Sequence, residues 1–210
     1  LSLHDALPIL LEVKKTNKGP QIVVSRSHPG LVKRLFEEEV PEIYEGIVQI
    51  KSVAREAGSR TKMAVRSIDE KIDPIGACVG PKGLRVKNIV DELGDEKIDI
   101  IKYSEDPAEF ISAALSPSKV VRVDIDEDEK SALVIVPDYQ LSLAIGKEGQ
   151  NARLAAKLTN WKIDIKSESQ AEQEMLNLEN SKEIEAEDVE AEFIDQEELD
   201  TSEDNFSEEE

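Results

Sequence analysis

Two short glycine tetrads are the segments of this 210-residue sequence whose residue types and spacing best suit the binding of an anionic ligand. They are Gly80-Pro81-Lys82-Gly83 and Gly146-Lys147-Glu148-Gly149. Glycine at both ends of a four-residue loop lets the backbone approach a ligand without Cβ atoms in the way. A segment with helical spacing follows each tetrad, so the unpaired N–H groups and the positive dipole end of that helix would face the loop. This arrangement suits phosphate oxygens, and Lys82 and Lys147 add positive charge.

The side chains that follow the tetrads extend the candidate site. Gln150 and Asn151 open the second helix and could bond base edges or phosphates, and Arg153 lies one turn further along the same face. Arg85 and Lys87 occupy comparable places after the first tetrad. Glu148 opposes phosphate binding, so the second loop must rely on backbone amides and Lys147. The candidate binding residues are Gly80, Pro81, Lys82, Gly83, Arg85, Lys87, Gly146, Lys147, Glu148, Gly149, Gln150, Asn151 and Arg153.

The elements around the two tetrads recur in the same order. Each copy is predicted to contain a helix, a strand hairpin, a short helix before the tetrad, a longer helix after it and a final strand. The first copy is predicted as helix 30–39, strands 47–54 and 61–66, helices 73–79 and 84–93, and strand 97–103. The second is predicted as helix 107–115, strands 120–125 and 132–136, helices 138–145 and 150–158, and strand 161–165, and a terminal strand, 21–25, precedes both copies.

Sequence identity supports a duplication. The tetrads begin 66 residues apart, and Lys97-Ile98-Asp99-Ile100 recurs as Lys162-Ile163-Asp164-Ile165. The prediction is an α+β fold with two three-stranded sheets, each packed by helices.

A Gly-x-x-Gly loop between two helices is the device with which KH modules hold the backbone of about four nucleotides of single-stranded RNA. One such tetrad is weak evidence, because glycine also ends helices and forms turns without any ligand. Two tetrads in matching contexts, with basic residues beside them, favour RNA binding. Aromatic residues make up 4% of the chain, so base stacking on aromatic rings is not expected to dominate.

The charge of the chain is concentrated at its C-terminal end. Residues 167–210 hold 19 acidic residues and one basic residue, or −18 of the total of −20, which leaves −2 for the first 166 residues. The folded part is therefore almost neutral, and the acidic segment is expected to be disordered, with short helical pieces such as Glu172–Leu178 possible. We favour a solvating role for this tail over competition with RNA or recruitment of a basic partner.

The cysteine count and the hydropathy exclude several kinds of site and segment. The single cysteine, Cys78, excludes an internal disulfide and a cysteine-based zinc site. The sequence contains no 18-residue apolar run of the kind that spans a membrane. A reducing cytoplasm is therefore the expected location. Residues 1–10 lack the basic leader of a secretory signal, and the missing initial Met indicates a fragment or a non-native start.

Other chemically suggestive residues have simpler interpretations. Asp124, Asp126 and Asp128 have the spacing of a calcium loop, but Glu129 stands where that loop needs glycine, so a solvated turn is favoured. Cys78 is expected to be a core thiol, His28 a structural residue at a helix start, and Trp161 a packing residue. We expect no catalytic residues, no metal and no cofactor.

Several longer segments resemble a known family. They are Ser25-Arg26-Ser27-His28-Pro29-Gly30, Val40-Pro41-Glu42-Ile43-Tyr44-Glu45-Gly46, the segment from Asp73 to Gly80, and the segment from Leu141 to Arg153. They resemble the NusA family of bacterial transcription elongation factors from about residue 11 to residue 166. The resemblance implies residues 11–26 as the end of an OB-type barrel, 27–104 and 105–168 as two KH domains of the bacterial (type II) topology, and 169–210 as the tail, with 1–10 unassigned.

The resemblance also implies a function. Members of the family hold nascent single-stranded RNA and modulate pausing, termination and antitermination, and they contact RNA polymerase through a domain missing from this sequence. We expect a cytoplasmic monomer without enzymatic activity. Two alternatives stay open: a phosphorolytic ribonuclease, in which KH precedes the barrel, and a KH-containing ribosomal protein, which would be strongly basic.

Overall fold

The computed structural model describes residues 8–177. They begin with an antiparallel hairpin of β1 (Ile9–Thr16) and β2 (Gly19–Ser25), with a register shift between Leu10 and Glu12. The predicted strand 21–25 is confirmed as part of β2. β1 was not predicted, because its residues alternate poorly between apolar and polar, and most of its side chains are exposed.

The first KH module has the order helix, helix, strand, strand, helix, helix, strand. Its elements are α1 (Pro29–Glu39), α2 (Pro41–Tyr44), β3 (Val48–Glu56), β4 (Arg60–Ser67), α3 (Pro74–Val79), α4 (Leu84–Glu92) and β5 (Lys97–Lys102). β4 lies at the centre of the sheet, antiparallel to β3 and parallel to β5. Every predicted element of this module is present, and α2 is an addition.

The second KH module repeats this sheet. Its elements are α5 (Pro107–Ala114), β6 (Arg122–Asp126), β7 (Ser131–Val136), α6 (Leu141–Ile145), α7 (Gln150–Thr159) and β8 (Lys162–Ser167). β7 is antiparallel to β6 and parallel to β8, as β4 is to β3 and β5. The repeated Lys-Ile-Asp-Ile segments start β5 and β8, so the duplicated sequence marks the same strand in both modules. The predicted α+β fold with two three-stranded sheets is confirmed.

Local sequence sets where the helices begin. Asp73 and Asp106 each precede a proline, and their carboxylates accept hydrogen bonds from the backbone N–H groups of Ile75 and Gly76 and of Ala108. His28 acts in the same way, since its Nδ1 accepts from Gly30 N at 3.0 Å. These side chains satisfy N–H groups that the first helical turn leaves unpaired, and proline suits the first helical position.

Two apolar cores lie on the two faces of the first sheet. One packs α1, α3 and α4 against β3 and β4 through residues such as Phe36, Met63 and Ile89. The other is the core of the second module, and Ala54, Ala64 and Ile101 of the first sheet belong to it. The two modules therefore form one compact unit that ends at Ser167.

A buried lysine strengthens the junction between the modules. The Lys62 side chain is 0% exposed, and its Nζ donates to Asp99 Oδ2 at 3.1 Å and to Ser116 O at 2.8 Å. Burial lowers the pKa of Lys62, and Asp99 partly opposes that effect. Asp99 also accepts two hydrogen bonds from Arg60, so all three charged groups have partners.

A separate unit begins at Glu168, where residues 168–177 are helical. This helix covers most of the short piece, Glu172–Leu178, that the sequence allowed within a tail expected to be disordered. The rest of that expectation lies outside the described residues.

The structure also locates the other singled-out residues. Cys78 is buried in the first core, and burial raises the pKa of its thiol to about 12. Trp161 packs against the second core. Asp126 Oδ1 accepts from the N–H groups of Asp128 and Glu129, which makes this acidic segment a hydrogen-bonded turn. Within residues 8–177, no helix is long and apolar enough to cross a bilayer.

Candidate nucleic-acid interface

The two tetrads have the same backbone conformation. Gly80 and Gly146 have φ/ψ of 73/176° and 77/175°, and Gly83 and Gly149 have 75/14° and 73/14°. The third positions also agree, with Lys82 at 54/24° and Glu148 at 53/27°. The structural counterpart of Lys82 is thus Glu148, and Lys147 corresponds to Pro81.

The two glycines of each tetrad are required for different reasons. An added Cβ at Gly146 would lie 2.8 Å from Asn151 Cβ and 2.9 Å from Asn151 N, and at Gly80 it would lie 2.6 Å from Arg85 Cγ. At Gly83 and Gly149 an added Cβ would meet nothing within 4 Å, so only the left-handed backbone favours glycine there.

The loops are closed by matching hydrogen bonds. Gly80 N donates to Gly76 O at 2.9 Å, and Gly83 N donates to Gly80 O at 3.1 Å; the bonds of Gly146 and Gly149 in the second loop have the same lengths. α4 and α7 begin directly after the loops, and no side chain caps either helix. The positive ends of both helices therefore remain open to an anion in front of the loop.

Arg85 and Asn151 each lie two residues after the last glycine of their tetrad, and each bonds a backbone carbonyl of the helix that precedes the loop. Arg85 Nη1 donates to Ala77 O at 2.7 Å and to Glu42 Oε2 at 3.0 Å. Asn151 is 4% exposed, and its Nδ2 donates to Ala144 O at 2.9 Å and to Leu115 O at 3.0 Å.

The expectation that Asn151 bonds RNA needs correction. Its amide nitrogen is buried and bonds the carbonyl groups that hold the loop, because a buried N–H group must find a partner inside the protein. Arg85, which is partly exposed, holds the first loop in the same way.

The polar side chains at the start of α7 are bonded to the first module. Glu56, the last residue of β3, accepts from Arg153 Nε at 2.7 Å and from Gln150 Nε2 at 2.8 Å. Gln150 Nε2 also donates to Ser59 Oγ at 2.8 Å, and Arg153 Nη1 donates to Glu148 O at 3.1 Å. The hydrogen bonds from Arg153 and Gln150 lower the pKa of Glu56 to about 2.

A buried ion pair holds the turn that carries Glu56 and Ser59. The Glu96 side chain is 0% exposed and accepts from Arg55 Nε at 2.9 Å, Thr61 Oγ1 at 2.6 Å and Gly58 N at 2.8 Å. Burial alone would raise the pKa of Glu96, but the hydrogen bonds from Arg55, Thr61 and Gly58 outweigh it, and the net change is a lower pKa.

Three predicted cations remain available. Lys82, Lys87 and Lys147 are exposed, and none of them has an ion-pair partner within the part of the chain that the structure describes. Arg153 is half exposed and keeps Nη2 without a hydrogen bond to residues 8–177. The first loop thus has two unpaired lysines, whereas the second has one lysine, a paired arginine and Glu148.

Exposed apolar side chains flank both loops. Leu84 follows the first loop and is 56% exposed; Leu143 and Ile145 precede the second and are 45% and 38% exposed. Apolar surface beside a phosphate-binding loop suits the faces of nucleotide bases.

Sequence analysis missed the contribution of the first module to the second loop. Glu56 and Ser59 lie in a hairpin turn 94 and 91 residues before Gln150 and carry no motif. The duplication predicted equivalent positions within the modules, but it contained no signal for contacts between them.

Two protein-family models match the two modules of this chain. A model of the NusA-like first KH domain matches residues 26–103, and a model of the NusA-like second KH domain matches residues 107–173. This chain belongs to the NusA family. The bounds 27–104 and 105–168 for the modules of this NusA-family chain stay a prediction.

Curated NusA proteins are similar to the chain over most of its length. The transcription termination/antitermination protein NusA of Halalkalibacterium halodurans is 68% identical over 164 residues, which are 78% of this chain and 43% of that protein. The NusA protein of Bacillus subtilis is 67% identical over 169 residues, 80% of this chain and 46% of that protein. That of Mycobacterium tuberculosis is 58% identical over 158 residues, 75% and 46%. The chain spans less than half the length of these NusA relatives.

Proposed function

We propose that this chain binds single-stranded RNA through its two Gly-x-x-Gly loops and contributes this binding to transcription termination and antitermination. The observation that carries the proposal is the pair of loops with one backbone conformation, each opening an uncapped helix, within one compact unit. Such loops bind the sugar–phosphate backbone, and the apolar residues beside them receive bases.

The charge distribution supports binding through the loops. Lys82, Lys87 and Lys147 are exposed and lack acidic partners among the described residues. A free lysine beside an uncapped helix start adds attraction for phosphate that salt weakens. Buried Asn151 and bonded Arg85 act in this proposal by keeping the loops in shape.

The test is the affinity of the whole chain for a fluorescent single-stranded RNA at two salt concentrations. The variant is Lys82→Asp combined with Lys147→Asp, and the matched control is Lys15→Asp combined with Lys130→Asp, which makes the same change in net charge on two hairpins. We expect the loop variant to bind at least about tenfold more weakly and with a smaller salt dependence, because each lost phosphate contact reduces the salt slope by about 1. Equal affinity of the loop variant and the wild-type chain would contradict the proposal.

The wider role rests on the relatives, which are named as transcription termination/antitermination proteins. We propose nascent RNA as the ligand and RNA polymerase as a partner reached through parts of the relatives outside this chain, in the cytoplasm, with the chain acting as a monomer and without catalysis. A termination assay tests this: the chain joined to the rest of a NusA relative should alter terminator readthrough, and the loop variant should reduce the effect. Sedimentation of the chain alone tests the monomeric state.

A further inference from the structure

The Gln150 amide is held so that it can only accept a hydrogen bond. Its Nε2 donates to Glu56 Oε2 and to Ser59 Oγ, both at 2.8 Å. A side-chain amide has two N–H hydrogens, and both are used in these bonds. The group left for a ligand is Oε1, which accepts and cannot donate.

The carboxylate of Glu56 fixes the orientation of the Gln150 amide. Glu56 has a pKa near 2 and is therefore ionised at neutral pH, so its oxygens can face only a donor. The nitrogen of Gln150, and not its oxygen, must point to Glu56. The turn that carries Glu56 and Ser59 is held in place by Glu96, which bonds Gly58 N at 2.8 Å.

This geometry narrows the ligand chemistry at the second loop. A phosphate group that carries only acceptor oxygens cannot bond Oε1 of Gln150. Nucleotides offer donors in two places, the ribose 2′-hydroxyl and the amino or imino groups of the bases. The expectation from sequence that Gln150 could bond phosphates therefore does not fit the observed hydrogen bonds.

The first loop lacks this feature. The residue equivalent to Gln150 is Leu84, which also starts the helix after its loop, with φ/ψ of −65/−41° against −60/−43° for Gln150. Leucine has no polar group, so the first loop has no side-chain acceptor at this position.

We propose that Glu56 and Ser59 of the first module make Gln150 an acceptor-only contact, so that the second loop holds a nucleotide with its ribose 2′-hydroxyl or a base N–H group directed at Gln150 Oε1. This inference rests on the proposed RNA binding and adds a specificity to it. The first module thereby takes part in ligand choice at the loop of the second.

The test compares the affinity of the whole chain for matched single-stranded probes by fluorescence anisotropy. An adenine-containing RNA is compared with the same RNA carrying 2′-O-methyl groups, which removes the ribose donor, and with one carrying purine in place of adenine, which removes the base donor. The variants are Gln150→Leu, which copies the first loop, and Glu56→Ala combined with Ser59→Ala, which releases the amide. Gln21→Leu, the same change at an exposed position of β2 away from both loops, is the control, and circular dichroism confirms that each variant is folded.

We expect the wild-type chain to prefer the unmodified RNA over one of the two modified probes by about three- to tenfold, the range of a single hydrogen bond. The probe that loses affinity identifies the donor as ribose or base. Gln150→Leu and the double variant should both lose this preference, whereas Gln21→Leu should keep it.

Two results would overturn the inference, and they have different meanings. If the wild-type chain and Gln150→Leu discriminate equally, the acceptor role of Gln150 is wrong, while RNA binding through the lysines of the loops can still hold. If the wild-type chain binds none of the probes, the proposed function fails together with the inference.

Discussion

The two glycines of the second tetrad should differ in what an alanine costs. At Gly146 the backbone conformation of 77/175° is one that residues with a Cβ rarely adopt, which costs about 1–3 kcal/mol. The new Cβ would also lie 2.9 Å from Asn151 N, a backbone atom in the first turn of α7 that cannot move alone. Relieving that contact through bond angles adds roughly 1 kcal/mol. We therefore expect Gly146→Ala to lower the free energy of unfolding by about 3 kcal/mol.

Gly149→Ala is the matched comparison. Its left-handed conformation of 73/14° costs alanine about 1–2 kcal/mol, and its Cβ meets nothing within 4 Å. Gly80→Ala should cost about as much as Gly146→Ala, because its Cβ would lie 2.6 Å from Arg85 Cγ and 2.9 Å from Arg85 Cβ, at the base of a side chain that is bonded to Ala77 O and Glu42. Both Gly146→Ala and Gly80→Ala are therefore expected to destabilise the chain more than Gly149→Ala.

Urea unfolding followed by far-ultraviolet circular dichroism measures these differences, provided that the transition is two-state and its slope is unchanged between variants. If Gly149→Ala destabilises the protein as much as Gly146→Ala, the steric reasoning is wrong. It would also be wrong if Gly146→Ala cost less than about 1 kcal/mol.

Three further expectations follow from the buried and charged groups. Glu96→Gln should destabilise the chain by about 3 kcal/mol or more, because it leaves Arg55 buried without its counter-charge; chemical unfolding measures this, and a loss under about 1 kcal/mol would contradict it. The pKa of Glu56 is lowered from 4.5 to about 2 in the folded chain, so the ionised carboxylate stabilises the fold at a pH above about 4.5. That contribution is lost as the pH falls towards 2. The free energy of unfolding between about pH 5 and pH 2 should therefore depend less on pH in Glu56→Gln than in the wild-type chain. Cys78, with its thiol pKa raised to about 12, should react with a thiol reagent at about pH 8 only when the protein unfolds, and labelling in native buffer at the rate of a free thiol would refute this.

Sequence alone predicted most of the architecture, for identifiable reasons. Strands such as β5 and β7 are rich in β-branched residues, and helices such as α3 and α5 begin with an Asp-Pro pair, so local rules were sufficient. The duplication then supplied confirmation, since one module could be compared with the other. Local rules failed at β1, whose apolar side chains are largely exposed, and at the four-residue helix α2.

The candidate site was predicted less completely, because residue type does not reveal what a side chain already bonds. Asn151 and Lys147 are both polar and near the loop, but Asn151 is buried against three carbonyl groups, and Lys147 is exposed. This distinction depends on tertiary contacts.

The packing of the modules explains why two loops of equal shape need not bind alike. Because the second core includes Ala54, Ala64 and Ile101 of the first sheet, one end of β3 is held beside the start of α7, where Glu56 and Ser59 reach Gln150 and Arg153. At the first loop a corresponding bond to Leu84 cannot form, because the leucine side chain is apolar. The first loop therefore offers two unpaired lysines, Lys82 and Lys87, and no side-chain acceptor at the position of Leu84. The second loop offers one unpaired lysine, Lys147, and the acceptor Oε1 of Gln150. If the proposed RNA binding holds, we expect the first loop to contribute mainly salt-dependent affinity and the second to add a hydrogen bond from a donor group of the nucleotide.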